Sequence, residues 1–292
     1  MNVLLIYNPA AGQGRIKAQL SDIVDILIKA DCRVEIYSTQ SKQDATRKVE
    51  EDADRFDRII ASGGDGTLDE VVTGLMRSAC EIPVGYLPAG SANDFASSIG
   101  IPHDLIAAAR MAVADNLFSC DIGRFNEDFF IYVAAFGLFT EASYATSQEL
   151  KNAIGYLAYI FEGARELVNI SAYELEMDCD GEQVAGEFVL GMVTNATHIG
   201  GVEGLIPQKV ALDDGYLEIT MIAMPKNPIE LTEILGYFAN INRETKMVFA
   251  TQAKRIHIRF KKSVPWTLDG EYGGEYEEVL IQNQPQALRI AV

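Results

Sequence analysis

Over residues 1–116 apolar positions fall either in short continuous runs or at helical spacing, and beyond Asn116 short β-like runs dominate. Residues 3–7 form an unbroken apolar run, as expected of a strand covered on both faces. Leu20, Ile23, Val24, Leu27 and Ile28 then recur at i, i+3, i+4, i+7 and i+8, one face of a helix. Residues 33–38 read as a second strand, 43–53 as a polar helix, 58–61 as a third strand and 82–87 as a fourth. Two further helices are expected, one carrying Leu68, Val71, Val72, Leu75 and Met76 and one over 105–114. Strands separated by helices imply a parallel sheet, and ligands of such sheets bind beyond the carboxyl ends of the strands.

The second half reads differently. Runs at 117–122, 129–135, 173–179, 188–194, 217–222, 255–260, 279–282 and 288–292, separated by turns, suggest an antiparallel sandwich or barrel. Helical patterns interrupt them at 154–168, from Ile154 to Val168, and at 229–238. The expected fold class is therefore α/β: an amino-terminal parallel-sheet domain over 1–118, then a β-rich sandwich or barrel domain over 119–292.

The turns between these elements carry the candidate chemistry. Ser62-Gly63-Gly64-Asp65-Gly66-Thr67-Leu68-Asp69-Glu70 joins the third strand to its helix. Glycines let a backbone approach a ligand closely, and the free N–H groups of a helix start favour an anion, so a polyphosphate suits the site. A glycine-rich turn with no ligand is the plainer reading of this segment alone. Asn8-Pro9-Ala10-Ala11-Gly12-Gln13-Gly14-Arg15 follows the first strand, and Pro88-Ala89-Gly90-Ser91-Ala92-Asn93-Asp94-Phe95-Ala96 follows the fourth. Ser91 or Asn93 also reads as a simple helix N-cap.

In the second half, Ala211-Leu212-Asp213-Asp214-Gly215-Tyr216 is either a plain Asp-Gly turn or an oxygen-rich turn for a hard cation. Trp266-Thr267-Leu268-Asp269-Gly270-Glu271-Tyr272-Gly273-Gly274 reads as a hairpin with solvated acids or as the source of a general base. The apolar content of 129–139 and 156–161 fits core packing first and a greasy entrance for an acyl substrate second.

Charge and composition narrow the classes. A formal net charge of −18 repels nucleic-acid backbones, so nucleic acid is not an expected partner. No apolar run approaches the roughly eighteen residues that span a bilayer, and the amino terminus lacks a basic segment followed by a cleavage site. The expectation is a cytoplasmic protein whose membrane contact, if any, is peripheral. Cys32, Cys80, Cys120 and Cys179 make no Cys-x-x-Cys pair, and His103, His198 and His257 are scattered, so disulfide and zinc chemistry find no support. There is no GxxxxGK[ST] loop.

Taken together, Asn8 to Gly12, Gly63 to Leu68, Pro88 to Ala96, Asp213-Asp214-Gly215 and Asp269-Gly270-Glu271 resemble the bacterial diacylglycerol kinase-like lipid kinases, in order and over the whole length. That family is related to sphingosine and ceramide kinases and, more distantly, to NAD kinases and phosphofructokinases. The resemblance implies an ATP- and magnesium-dependent kinase acting on a hydroxyl of a diacylglycerol-like or other long-chain lipid, with the active site in the cleft between two domains.

It also implies roles for individual residues. Asn8, Pro9, Ala10, Ala11, Gly12, Thr39, Gly64, Asp65, Gly66, Thr67, Leu68, Asp69, Glu70 and Ser91 match nucleotide-binding positions, with Asp65 near the metal and phosphates. Asp94 matches an acidic active-site position and Glu271 a proton acceptor. Asp214, with the carbonyls of Ala211 and Tyr216, matches a structural magnesium site. Arg15 or Lys42 would assist at the phosphates. Two departures stand out: Asp69 replaces the family's usual asparagine, and Ser91 stands where threonine is common. A soluble acceptor such as NAD, a non-catalytic nucleotide- or lipid-binding role, and a homodimer stay open at this stage.

Overall fold

A computed structural model describes residues 1–137, 171–199, 202–203, 210–238 and 245–292. Met1–Ile122 with Gln284–Val292 forms one compact unit and Gly123–Asn283 a second. The expected helix at 154–168 and the apolar stretch at 156–161 lie outside the described residues.

The first unit alternates strand and helix as the hydrophobic pattern requires: β1 (Asn2–Tyr7), α1 (Arg15–Lys29), β2 (Arg33–Ser38), α2 (Asp44–Asp52), β3 (Arg58–Gly63), α3 (Asp65–Ser78), β4 (Val84–Pro88), α4 (Asp94–Ile99) and α5 (Leu105–Ala112). β5 (Leu117–Phe125) leads out of it. The strands pair in the order β2-β1-β3-β4, all parallel. The last residues of the chain join beside β4, with Ile290 opposite Val84 in parallel. Val3, Leu4, Leu5, Ile6, Ile59, Ile60 and Ala61 are fully buried. That burial is the reason their runs are apolar without alternation. β2, at the sheet edge, leaves Ile36 exposed.

The second unit contains β6 (Asp128–Phe130), β7 (Val133–Gly137), β8 (Tyr173–Cys179), β9 (Glu182–Thr194), β10 (His198–Ile199), β11 (Val202–Glu203), β12 (Leu217–Ala223), α6 (Pro228–Phe238), β13 (Val248–Ala253), β14 (Arg255–Leu268) and the start of β15 (Glu271–Ala291). Two long strands organise it. β9 pairs with β8 through residues 182–188 and with β7 through 190–194. β14 likewise pairs with β8 through 256–260 and with β7 through 266–268. The ring β7-β9-β8-β14 therefore closes on itself as a small barrel, leaving these strands without a free edge among themselves.

An aromatic cluster fills that ring. Trp266 is fully buried, with its ring centroid 4.9 Å from both Phe125 and Phe136. Phe136 lies 5.0 Å from Phe260 and 5.8 Å from Tyr173, edge to face. Such edge-on pairs are favoured over face-to-face stacks by the ring quadrupoles.

Several elements differ from the pattern-based expectation. Residues 129–135 are two strands, because Ile131 and Tyr132 turn their N–H groups to the Asp269 carboxylate instead of a neighbouring strand. The runs at 279–282 and 288–292 belong to one strand, β15, whose polar residues 283–287 hide its continuity. β13 carries Thr251 and Gln252 among its apolar residues, so no apolar run marks it in the sequence.

Phe136→Ala should lower the stability of the second unit by ~3–5 kcal/mol. Urea unfolding followed by the fluorescence of Trp266, the chain's single tryptophan, tests this. An unchanged midpoint would show that the aromatic cluster does not hold the barrel.

Candidate active site

The strand order turns back between β1 and β3, which makes their carboxyl ends the natural crevice of the first sheet. The loops after β1, β3 and β4 meet there, main chain against main chain. Asn8 N–H donates to the Ser62 carbonyl at 2.9 Å. Ala89 and Gly90 N–H both donate to the Gly63 carbonyl, at 2.7 and 3.2 Å. Gly12, at φ 53°, approaches Ala89 so closely that a Cβ would lie 1.9 Å from its carbonyl oxygen, and a Cβ on Gly90 would lie 2.4 Å from Gly64 Cα. Only glycine fits at these contacts.

Around this knot the first loop is shaped by Asn8, whose side-chain oxygen accepts from Ala10 N–H at 2.9 Å. Pro9 and Ala11 complete it, and the left-handed Gly14 starts α1 with no side-chain cap. α3 also starts on an uncapped glycine, Gly64. Two helix starts thus keep main-chain donors that no capping side chain consumes, the usual basis of phosphate binding. Thr39, buried at the end of β2, donates its N–H to the Tyr7 carbonyl at 3.0 Å, which places it beside the end of β1. Gly66 lies in the first turn of α3, Thr67 is buried there with its N–H on the Gly64 carbonyl at 3.0 Å, and Ser91 is exposed at the loop tip.

The carboxylates of this region are largely turned to neighbouring helices. Asp65 accepts from the N–H groups of Asp94 at 3.2 Å and Phe95 at 3.4 Å, so it tethers the start of α4 to the start of α3. Burial, and then the nearby Asp94 carboxylate, push its pKa up to about 6, against the opposing pull of those N–H groups. Asp94 itself is 4% exposed. Glu70 accepts from Gln43 N–H at 2.8 Å and Ala45 N–H at 3.1 Å and so caps α2. Leu68 points into the core, fully buried, while Asp69 follows it half-buried.

Asn93, a candidate N-cap by sequence, stands at the N-cap of α4 without capping it through its side chain, and with Tyr86, which the sequence does not mark, it holds the β4 loop. Asn93, in the left-handed region at φ 54°, accepts from Gly90 N–H and donates to the Gly90 carbonyl, both at 3.0 Å. Tyr86 places its hydroxyl within 3.5 Å of the Asn93 side-chain oxygen. Burial and the Asp65 and Asp94 carboxylates raise the Tyr86 phenol well above its ordinary value, so it stays a neutral donor. An asparagine three residues after a glycine is also a turn signal, the role its side chain takes here, whereas nothing local marks Tyr86.

In the second unit, Glu271 is exposed at the first position of β15, opposite Leu268. Asp269, in the turn before it, is 5% exposed and not a solvated acid. Its carboxylate accepts from Ile131, Tyr132 and Val133 N–H at 2.6, 3.0 and 2.8 Å. Asp214 is exposed, and its Oδ1 accepts from Tyr216 N–H at 3.0 Å across the left-handed Gly215. Ala211 and Tyr216 flank the same turn. Among the described residues no cluster of three or more His, Cys, Asp or Glu side chains could hold a metal, and no helix is long and apolar enough to cross a membrane.

Comparison with known proteins places both halves of the chain in known families. Residues 2–125 match the family described as diacylglycerol kinase catalytic domain, and residues 134–292 match the family described as YegS C-terminal NAD kinase beta sandwich-like domain. A protein named diacylglycerol kinase from Staphylococcus aureus (strain MRSA252) is 35% identical over 274 residues, 93% of this chain and 86% of that one. One of the same name from Staphylococcus carnosus (strain TM300) is 32% identical over 277 residues, 93% of this chain and 89% of that one. The crystal structure of a diacylglycerol kinase from Bacillus anthracis str. Sterne superposes with a TM-score of 0.77 at 25% identity, covering 99% of this chain and 96% of that one. The chain belongs to the bacterial diacylglycerol kinase-like lipid kinase family and is a kinase whose acceptor is an alcohol.

Proposed function

We propose that this kinase transfers the γ-phosphate of ATP, with magnesium, to the hydroxyl of a diacylglycerol-like or other long-chain lipid. The observation that carries the nucleotide part is the backbone knot of Gly12, Ala89, Gly64 and Gly90 beside two helix starts without side-chain caps. The polyphosphate would lie against the N–H groups of 8–14 and 64–67, with Thr39 and Ser91 at its margin. Magnesium supplies charge neutralisation at the phosphates when bound. Asp65, whose carboxylate also holds the start of α4, would lie near that metal and the phosphates, and Asp94 would be an acidic residue of the active site. Asp214, with the Ala211 and Tyr216 carbonyls, would hold a second, structural magnesium. Glu271, exposed and acidic, would take the proton of the attacking hydroxyl. A lipid acceptor entails contact with a membrane surface, made peripherally.

A soluble acceptor is the second reading, favoured by the description of the family that covers 134–292 as NAD kinase-like. Incubating the protein with labelled ATP, magnesium and either dioleoylglycerol and other lipid alcohols in mixed micelles, or NAD, separates the two. Transfer to a lipid alone is expected. Transfer to NAD alone, or to neither acceptor by folded protein, would overturn the lipid assignment.

Glu271→Gln should lower kcat by about 10²- to 10⁴-fold, the usual contribution of a general base, while ATP binding is unchanged. Near-normal turnover in steady-state assays would remove Glu271 from that role.

The raised Asp65 pKa gives a stability test. The folded carboxyl titrates at about 6 against 3.8 for the unperturbed group. The folded state therefore holds a proton that the unfolded chain has released. Stability from this group is full below about pH 4 and is lost as pH rises through about 6. Between about pH 5 and about pH 7 the urea midpoint of the wild type should fall relative to that of Asp65→Asn, which has no such titration. Parallel midpoints over this window would show that Asp65 ionises elsewhere.

A further inference from the structure

The turn that carries Glu271 is held by an interaction its own sequence does not require. Asp269 and Gly270 have φ values of 49° and 83°, and Leu268 pairs with Glu271 across them. A two-residue turn with both φ values positive is satisfied equally well, or better, by Asn-Gly. The residue is aspartate, and its carboxylate is buried. Three successive N–H groups, from Ile131, Tyr132 and Val133, converge on its two oxygens at 2.6, 3.0 and 2.8 Å. Consecutive main-chain donors of this kind make an anion-binding nest, and only an acceptor-only group satisfies all three, since an amide would turn an NH₂ toward one of the N–H donors.

The same turn is tied by two more bonds. Asp269 N–H donates to the Val133 carbonyl at 2.8 Å, and the Tyr132 hydroxyl donates to the Asp269 carbonyl at 3.1 Å. Next to it, Leu268 pairs with Ala134 of β7. The carboxylate thus joins the β6–β7 connection, the start of β7 and the β14–β15 turn at one point, two residues before Glu271.

We infer that Asp269 is the positioning residue for the Glu271 carboxylate: its charge, seated in the 131–133 nest, fixes the height and direction at which Glu271 leaves the turn. The inference rests on the proposed role of Glu271 as proton acceptor. Displacing a catalytic group by about 1 Å can cost roughly 100-fold in rate without any change in nucleotide affinity.

Asp269→Asn preserves the turn preference and removes the acceptor-only carboxylate, so it isolates the nest. Steady-state kinetics of the full chain, with ATP and whichever of dioleoylglycerol or NAD accepts phosphate, should show kcat lowered about 10- to 100-fold with KM for ATP within about twofold of wild type. In the Glu271→Gln background the same substitution should add less than about threefold, because the group being positioned is already gone. Should Asp269→Asn fail to fold, Tyr132→Phe, which leaves the nest and frees only the turn carbonyl, should lower kcat about two- to fivefold with the same unchanged KM for ATP. Wild-type kcat in the folded variant, or an equal loss in both backgrounds, would overturn the positioning role while leaving Glu271 as the base. Full activity of Glu271→Gln would overturn both.

Discussion

In the first unit the crevice at the strand ends depends on main chain touching main chain. Gly12 lies against the Ala89 carbonyl and Gly64 against Gly90, distances that leave no room for a Cβ. This contact fixes where β1, β3 and β4 end relative to one another and brings two helix starts to the same place. It also means that recognition there must come from N–H groups and small side chains. For a chain of net charge −18 that matters. The global field would oppose a polyphosphate in this crevice, and a set of oriented amide dipoles at close range can overcome it where distant charges are screened.

The excess of acid is partly explained by how carboxylates are used inside the fold. Asp65 accepts from the start of α4, Glu70 from the start of α2, Asp104 from Ala107 N–H in the first turn of α5, and Asp269 from the 131–133 nest. Asp180 likewise accepts from Lys254 and Arg255 N–H. Each carboxylate satisfies donors that a turn or helix end leaves over. In α3 this makes the helix a hub, since residues at its first and sixth positions bind two other helices while its N-cap glycine abuts the β4 loop. Asp65 and Glu70 thus serve the fold at positions that a glycine-rich site motif also claims.

This distinction sets what could be read from sequence. The parallel sheet was legible because β1 and β3 are buried on both faces and so are continuously apolar. The meeting of the first, third and fourth loops followed from strand topology and glycine content. The use of Glu70 on α2 did not, because a carboxylate that caps a helix elsewhere in the chain has no local signature. In the second half β15 was read as two strands, since exposed stretches of a strand carry polar residues that pattern analysis takes for turns. The burial of Asp269 was hidden for a related reason. Asp-Gly announces a hairpin turn whether its side chain faces water or a nest 137 residues away in sequence.

The division of labour between the two units follows from their materials. The loops after β1, β3 and β4 carry mostly glycine, alanine, serine, threonine and asparagine, a set that would read phosphate groups by N–H geometry and small hydroxyls rather than by apolar area. On the proposed reading, in which Glu271 takes the acceptor's proton, discrimination among acceptors would fall to the second unit. There the exposed acid Glu271 stands on a barrel whose ring is closed by β8 and β7 and whose turn is clamped by Asp269. If Glu271 is the base, relatives could share the glycine loops of residues 2–125 while differing in what they phosphorylate, because its turn sits on a scaffold that can be altered without disturbing the glycine contacts of the first unit.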